Sequence, residues 1–167
     1  MKLSLIVAMD RNGLIGKDGG LPWGRIPEDM RLFRELTELR PVIMGRKTFK
    51  AIGGRLLYRA NVVMTHYACY QAPGAHVVGD VDSAVSAAKE YVVDWHARFS
   101  SVFVIGGAQV YAAFRDLVTE AHVTLIDGEY AGDTYFPFPL LGSPDWKPLA
   151  EPRTLAPGVV YHHLGRV

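Results

Sequence analysis

Three apolar runs in this chain stop at a glycine or a small polar residue; the first runs into a glycine-rich segment, NGLIGKDGG (12–20), and the other two pass directly into a helical pattern. LSLIVAM (3–9), PVIMG (41–45) and SVFVIGG (101–107) are continuous apolar stretches without the alternation of a half-exposed strand. A strand of this kind is covered on both faces, which requires helices above and below a sheet. NVVMT (61–65) and HVV (76–78) are further short strands. Between them lie helical patterns in LPWGRIPEDMRLFREL (21–36), where a turn leads into the helix, at RKTFKAI (46–52), at DSAVSAAKEYVVDWHA (82–97) with Asp82 or Ser83 as N-cap, and at AQVYAAFRDL (108–117). AHVTLIDGEY (121–130) reads as a strand, GDTYFPFP (132–139) as a proline-bearing loop, and the tail turns at Ala156-Pro157-Gly158 into a last strand. The chain thus predicts an α/β fold: one domain over residues 1–167, with a central, mostly parallel eight-stranded sheet. Four helices flank it and an antiparallel hairpin ends it.

The sequence has 167 residues, 49% apolar and 21% charged, with a formal charge of +1, enough for one packed core. So small a net charge gives no footprint for nucleic acid or a membrane surface, so any bound anion must be held by local cations. The single cysteine, Cys69, rules out an internal disulfide and fits a reducing, cytoplasmic setting. Tyr67, Ala68 and Tyr70 beside it offer nothing to activate a thiolate. The short N-terminal apolar run is expected to be a buried strand rather than a signal peptide, and no stretch is long enough to span a bilayer.

One acid is out of place. With Asp29 at zero on a helical wheel, Phe33 lies at about +40°, Leu36 at about −20°, Leu32 at about −60° and Leu39 at about −80°. The charged Arg31, Arg34, Glu35 and Glu38 take the other side, and the only basic residue on the stripe is Arg40, three turns away. The plain reading is that Asp29, in the first turn after Pro27, gains about 0.3–1 kcal/mol from the helix dipole. The other is that it lines an apolar pocket and awaits a ligand's donors, because a desolvated carboxylate is costly unless paired.

Two strand ends suit phosphate. Gly106-Gly107 between a buried strand and a helix would let helix N–H groups approach an anion, although the pattern is not a dinucleotide fingerprint. Gly45 followed by Arg46, Lys47 and Thr48 repeats the arrangement, and Thr65-His66 closes the next strand. Each also reads as an ordinary turn. Together they place anion-binding groups at the carboxyl ends of neighbouring strands, where open α/β sheets bind ligands.

The segments DRNGLIGKDGGLPW, PEDMRLFREL, PVIMGRKTF, NVVMTH, VFVIGGAQVY, VTLID and GDTYFP, in this order over nearly the whole chain, resemble dihydrofolate reductase. LIGKDG, NVVMTH and IGGAQ are most similar to Gram-positive bacterial members. The resemblance implies NADPH-dependent reduction of dihydrofolate, with hydride transfer to C6 and protonation at N5, in support of one-carbon metabolism and thymidylate supply. It implies antifolates such as methotrexate and trimethoprim as ligands, no metal, no nucleic-acid or membrane partner, and a monomer. It assigns Asp29 to the pterin N3 and 2-amino group, with Trp23 and Thr124 in support. Ile6, Val7, Met30, Phe33, Ile52 and Leu56 become the apolar walls, joined by Ile105 and Tyr111, and Arg59 pairs with the substrate's α-carboxylate. On the cofactor side it places Arg46, Thr65 and His66 at the 2′-phosphate, Lys47 and Thr48 at the pyrophosphate, and a cis peptide at Gly106-Gly107. Ala8, Gly45, Met64, Ile105, Ala108, Gln109, Val110, Tyr111 and Thr134 complete the cofactor's surroundings. A lid over residues 12–21 contributes Ile15, Gly16, Gly20 and Leu21. An adenosine-binding subdomain would span about 41–97.

Three departures stand out. Gly24-Arg25-Ile26-Pro27-Glu28 is one residue longer than the short bacterial spacing between Trp23 and Asp29, as in vertebrate members. The family's R-P-L-P-G-R is here Gly54-Arg55-Leu56-Leu57-Tyr58-Arg59, without either proline. Gln109 stands where many members have arginine. A pyrimidine reductase on the same fold would have no use for Asp29, Phe33 and Arg59 together, and a non-catalytic nucleotide-binding relative could lose the acid or the lid, both of which this chain keeps.

Overall fold

The computed structural model describes residues 1–94 and 100–167. Its core strand is β1 (Lys2–Asp10), buried over nearly its whole length. After β2 (Leu14–Gly16) come α1 (Pro27–Thr37), β3 (Pro41–Gly45), α2 (Arg46–Ala51), β4 (Ala60–Met64), β5 (His76–Val78) and α3 (Val81–Asp94). Then follow β6 (Ser101–Gly106), α4 (Ala108–Phe114), β7 (Glu120–Ile126), β8 (Thr134–Tyr135), β9 (Trp146–Pro148), β10 (Arg153–Ala156) and β11 (Val159–Arg166).

Eight strands run in the order β10-β11-β7-β1-β6-β3-β4-β5. All neighbours from β7 to β5 are parallel, and β11 is antiparallel to β7 and β10. The short β9 pairs with the far end of β11, sharing the edge position with β10. The expected sheet, four helices and C-terminal hairpin are therefore present, with β9 added at the rim.

Alternation along the strands divides the core. Leu3, Leu5, Val7 and Met9 of β1 join Ala84, Ala87, Ala88 and Phe114 from α3 and α4 on one face. Ile6, Val42, Met44 and Phe103 join Phe33 and Leu36 of α1 and Phe49 of α2 on the other. On β7, Ala121 and Val123 belong to the first face, so Glu120, His122 and Thr124 point to the α1 side.

Several sequence-based boundaries shift. The first helix stops at Thr37 and Leu39 takes a left-handed φ of 60° with 56% of its surface exposed, so it does not extend the apolar stripe. Its end is tied differently: Thr37 Oγ1 donates to the Phe33 carbonyl at 2.7 Å. The cap of α3 is Asp80 rather than Asp82 or Ser83, since its carboxylate accepts from Ser83 N–H at 2.7 Å and Ser83 Oγ at 3.0 Å. Residues 95–97 of that predicted helix lie outside the described residues. The predicted strand 121–130 ends at Ile126 because Asp127-Gly128 turns away, with Gly128 at φ 115°. The loop 132–139 contains β8, which pairs with β2 in a small second sheet.

His122 lies on the α1 face of β7, 6% exposed, with Nδ1 2.7 Å from the Tyr161 hydroxyl and its ring stacked 4.4 Å from His163. Burial, with His163 nearby, pushes its pKa down to about 4. Such a histidine binds more protons unfolded than folded, so its contribution is complete above about pH 6.5 and is lost as the pH falls toward 4. The expected result is about 2 kcal/mol of stability lost from this group between pH 8 and pH 5. Urea denaturation across that range should show the loss in the wild type and a correspondingly flatter profile in His122→Phe. Equal pH dependence in the two proteins would exclude His122 as the source.

Candidate active site

The acid that stood out in the sequence lies where α1 crosses the sheet. Pro27 opens the helix and Asp29 sits in its first turn, beside Thr124 of β7. Burial raises the Asp29 carboxyl above its ordinary range, and a hydrogen bond from the Thr124 hydroxyl offsets part of that rise. No salt bridge involves Asp29 among the described residues. Thr124 is buried and lies opposite Ala8 of β1 and Tyr161 of β11 in the ladder. Trp23 stands edge-on to Tyr130 at 5.8 Å, and its Nε1 is the one buried side-chain N or O atom among the described residues without a hydrogen-bond partner. An acceptor-only carboxylate and an unpaired indole N–H therefore remain available for a ligand.

Apolar walls adjoin this acid. Ile6, Phe33, Leu56 and Ile105 pack in one cluster, whereas Met30 and Ile52 expose 36% and 43% of their surface. Val7 belongs to the opposite face and packs with Tyr111 instead. The Arg59 guanidinium donates from Nε to Thr37 Oγ1 at 2.9 Å and from Nη1 to the Leu57 carbonyl at 2.8 Å. It lies 5.9 Å from the Phe33 ring centroid. The two missing prolines are replaced by a different device. Tyr58 adopts a left-handed φ of 56°, and its carbonyl accepts from Leu39 N–H at 2.8 Å, tying the loop to the end of α1. Asn61 further clasps Leu56 through both its amide oxygen and nitrogen at 2.8 Å. Thr37 carries no motif of its own, so only the tertiary contact reveals its link to Arg59.

At the other strand ends, the Gly106-Gly107 peptide is cis. A Cβ on Gly106, whose φ is 110°, would lie 3.0 Å from the Tyr111 ring; one on Gly107 would lie 3.6 Å from Thr48 Oγ1. A Cβ on Gly45 would lie 3.2 Å from Val110 and 3.9 Å from the Gly106 carbonyl oxygen. The β3–α2 and β6–α4 turns thus touch, and neither helix has a side-chain cap on its N-terminus. Arg46, Lys47, Thr48, Thr65 and His66 follow the ends of β3 and β4, adjacent parallel strands, and Met64 pairs with Gly45. Ala108 and the exposed Gln109 open α4. A ligand with separated phosphates fits this donor set.

Residues 12–21 are held at several points. Buried Asp10 accepts from Asn12 and Leu14 N–H groups at 2.8 and 2.9 Å and from Tyr130 N–H at 3.3 Å. Asp133 accepts from Asp18 N–H at 2.8 Å and Thr134 Oγ1 at 2.7 Å, and Gly16 and Thr134 pair across β2 and β8. Ile15 packs against the core, while Gly20 and Leu21 lie exposed at the far end. Asp10 and Asp133 were not singled out from sequence; acids in turns are common and carry no distinctive spacing.

The dihydrofolate reductase family model matches residues 2–154. The chain belongs to the dihydrofolate reductase family. It is 41% identical over 135 residues to dihydrofolate reductase of Bacillus subtilis, covering 81% of this chain and 75% of that protein. The Staphylococcus haemolyticus enzyme is 33% identical over 147 residues, 88% of this chain and 82% of that one. Dihydrofolate reductase type 3 of Salmonella typhimurium is 38% identical over 137 residues, 82% and 79% of the two chains. A solved dihydrofolate reductase from Enterococcus faecalis, in complex with NADP(H) and RAB-propyl, superimposes with a TM-score of 0.81 at 29% identity, covering 99% of this chain and 96% of that one. Gram-positive members are thus among its relatives. The activity of this chain is the NADPH-dependent reduction of 7,8-dihydrofolate to 5,6,7,8-tetrahydrofolate.

Proposed function

We propose that Asp29 is the group around which the reductase reaction is organised. The observation that carries this reading is a carboxylate in a largely buried position, hydrogen-bonded by Thr124 and without a cationic partner among the described residues. Ionised, it accepts from the pterin N3 and 2-amino group; each such charged hydrogen bond contributes about 1.5–3 kcal/mol. Thr124 fixes the carboxylate's rotamer, and the Trp23 indole N–H supplies a donor on the same side. Ile6, Phe33, Leu56 and Ile105, with Met30 and Ile52 at the exposed rim, exclude water and hold the ring in plane. Arg59, preset by Thr37 and the Leu57 carbonyl, receives the glutamyl carboxylate with its remaining N–H groups.

Arg46, Thr65 and His66 receive the 2′-phosphate of NADPH, while Lys47, Thr48 and the glycine turns receive its pyrophosphate. When bound, NADPH supplies the hydride that passes to C6 of dihydrofolate. The chain's part is to set distance and orientation, which is the proximity contribution. Asp29 stays ionised while polarising the pterin toward protonation at N5. No acid of this chain is assigned to N5; the proton comes from water. Residues 12–21 shield the reacting faces.

In this reading residues 41–97 form the adenosine-binding part of one domain. The protein acts as a cytoplasmic monomer that antifolates such as methotrexate and trimethoprim inhibit. No helix among the described residues is long and apolar enough to cross a membrane. The purified protein should consume NADPH, followed by its absorbance, when dihydrofolate is added, and stoichiometric methotrexate should stop it. Turnover of a ribosylaminopyrimidine phosphate without turnover of dihydrofolate would favour the pyrimidine-reductase alternative instead.

A further inference from the structure

The loop after β4 carries two tyrosines that the reaction scheme does not use. Tyr67 exposes 65% of its surface, so burial does not hold it. Its position is set by backbone contacts: its N–H donates to Thr65 Oγ1 at 3.2 Å, and its carbonyl accepts from Tyr70 N–H at 3.0 Å. Thr65 N–H in turn donates to the Val78 carbonyl at 2.9 Å, which ties the loop to the end of β5. The Tyr67 ring lies under the Arg46 guanidinium, with Cζ 4.7 Å from the ring centroid. The Tyr70 ring lies 5.9 Å from both Arg46 Cζ and Lys50 Nζ. Arg46 and Lys50 are four apart on α2, a like-charge spacing that disfavours a helix. The two rings accommodate both cations.

We propose that Tyr67 is a positioning residue for cofactor choice, its ring fixing the Arg46 guanidinium so that the in-plane N–H donors remain free for the 2′-phosphate of NADPH. This rests on the reading that Arg46 receives that phosphate. A cation–π contact occupies the face of a guanidinium and leaves its edge donors unused. A long arginine side chain fixed before binding loses less rotamer freedom when the anion arrives. Gln109, where many members have arginine, is neutral, so selectivity falls more heavily on how well Arg46 is held. NADH lacks the phosphate, so its binding is indifferent to Tyr67.

The test compares kcat and KM for NADPH and NADH in wild type, Tyr67→Ala, Tyr67→Phe and Arg46→Gln, with Tm recorded for each. Tyr67→Ala should raise KM for NADPH about threefold to fivefold, the size of an exposed cation–π contact. Its kcat, its KM for NADH and its Tm should stay as in wild type. Tyr67→Phe keeps the ring and should restore KM for NADPH. Arg46→Gln should lower the NADPH-to-NADH preference about tenfold or more. An unchanged preference in Arg46→Gln would overturn the assignment of Arg46 itself. A collapse of preference in Arg46→Gln with none in Tyr67→Ala would overturn the role of Tyr67 alone. Equal loss for both cofactors, or a fall in Tm without a change in preference, would reduce Tyr67 to a structural contact and overturn the proposal.

Discussion

Asp29→Asn should lose at least about 100-fold in kcat/KM for dihydrofolate, from about 3 kcal/mol or more of lost transition-state stabilisation. The amide keeps the shape and can still meet Thr124, but it replaces an ionised acceptor by a neutral group that presents donors to the pterin's own donors. The same change should leave the Tm equal or higher. Burial holds the carboxyl above its ordinary pKa, so the ionised form is disfavoured in the folded protein and its removal relieves that cost. The sign also follows from linkage. An acid with a raised folded pKa gains stability as the pH falls through that value, and the Asn variant should lack this gain. Steady-state kinetics at neutral pH together with calorimetry check both halves. A near-wild-type rate would remove Asp29 from the site, and a large fall in Tm would assign it to the fold.

Gly106→Ala is expected to destabilise the protein by about 3 kcal/mol, through strain at a left-handed φ together with overpacking. Gly106 has a φ of 110°, which L side chains rarely adopt, and the new Cβ would lie 3.0 Å from Tyr111. The tyrosine cannot readily step aside, because its buried hydroxyl donates to the Ile6 carbonyl at 2.7 Å and its ring packs 5.0 Å from Phe136. For a chain of this length the loss corresponds to a Tm lower by about 6–12 °C. Gly79→Ala is the matched control: nothing lies within 4 Å of its Cβ and its φ is not positive, so the change should stay within about 0.5 kcal/mol. Thermal unfolding of both variants gives the comparison, and equal Tm values would mean that the Gly106 turn yields to a side chain without cost.

Much of this was legible in the chain because local chemistry and global packing agree. LSLIVAM and SVFVIGG read as doubly covered strands, and they are β1 and β6, neighbours at the centre of the sheet. Helix α1 was legible from its stripe, although Leu39 was misplaced, because a wheel does not know where a helix stops. The cap of α3 was missed by two residues, since Asp80, Asp82 and Ser83 are equally good caps by type and only geometry chooses among them. The strands β2, β8 and β9 have two or three residues each, too short for any period to show. Arg59 was visible in the GGRLLYR segment, but its contact with Thr37 was not, since the two are 22 residues apart.

By itself the sequence determined the class of fold, the sheet's buried centre, the phosphate-favouring strand ends and an acid set in an apolar stripe. Periodicity, glycine position and charge are local properties, and a chain displays them before it folds. The tertiary structure set the surroundings on which the proposed binding role of that acid rests. It brought Thr124, 95 positions further along the chain, against Asp29, buried the Trp23 indole N–H without a partner, and placed no cation beside the carboxylate among the described residues. It also put the Tyr67 ring under Arg46. Desolvation and pairing depend on which distant groups converge, and neither can be read from neighbours along the chain.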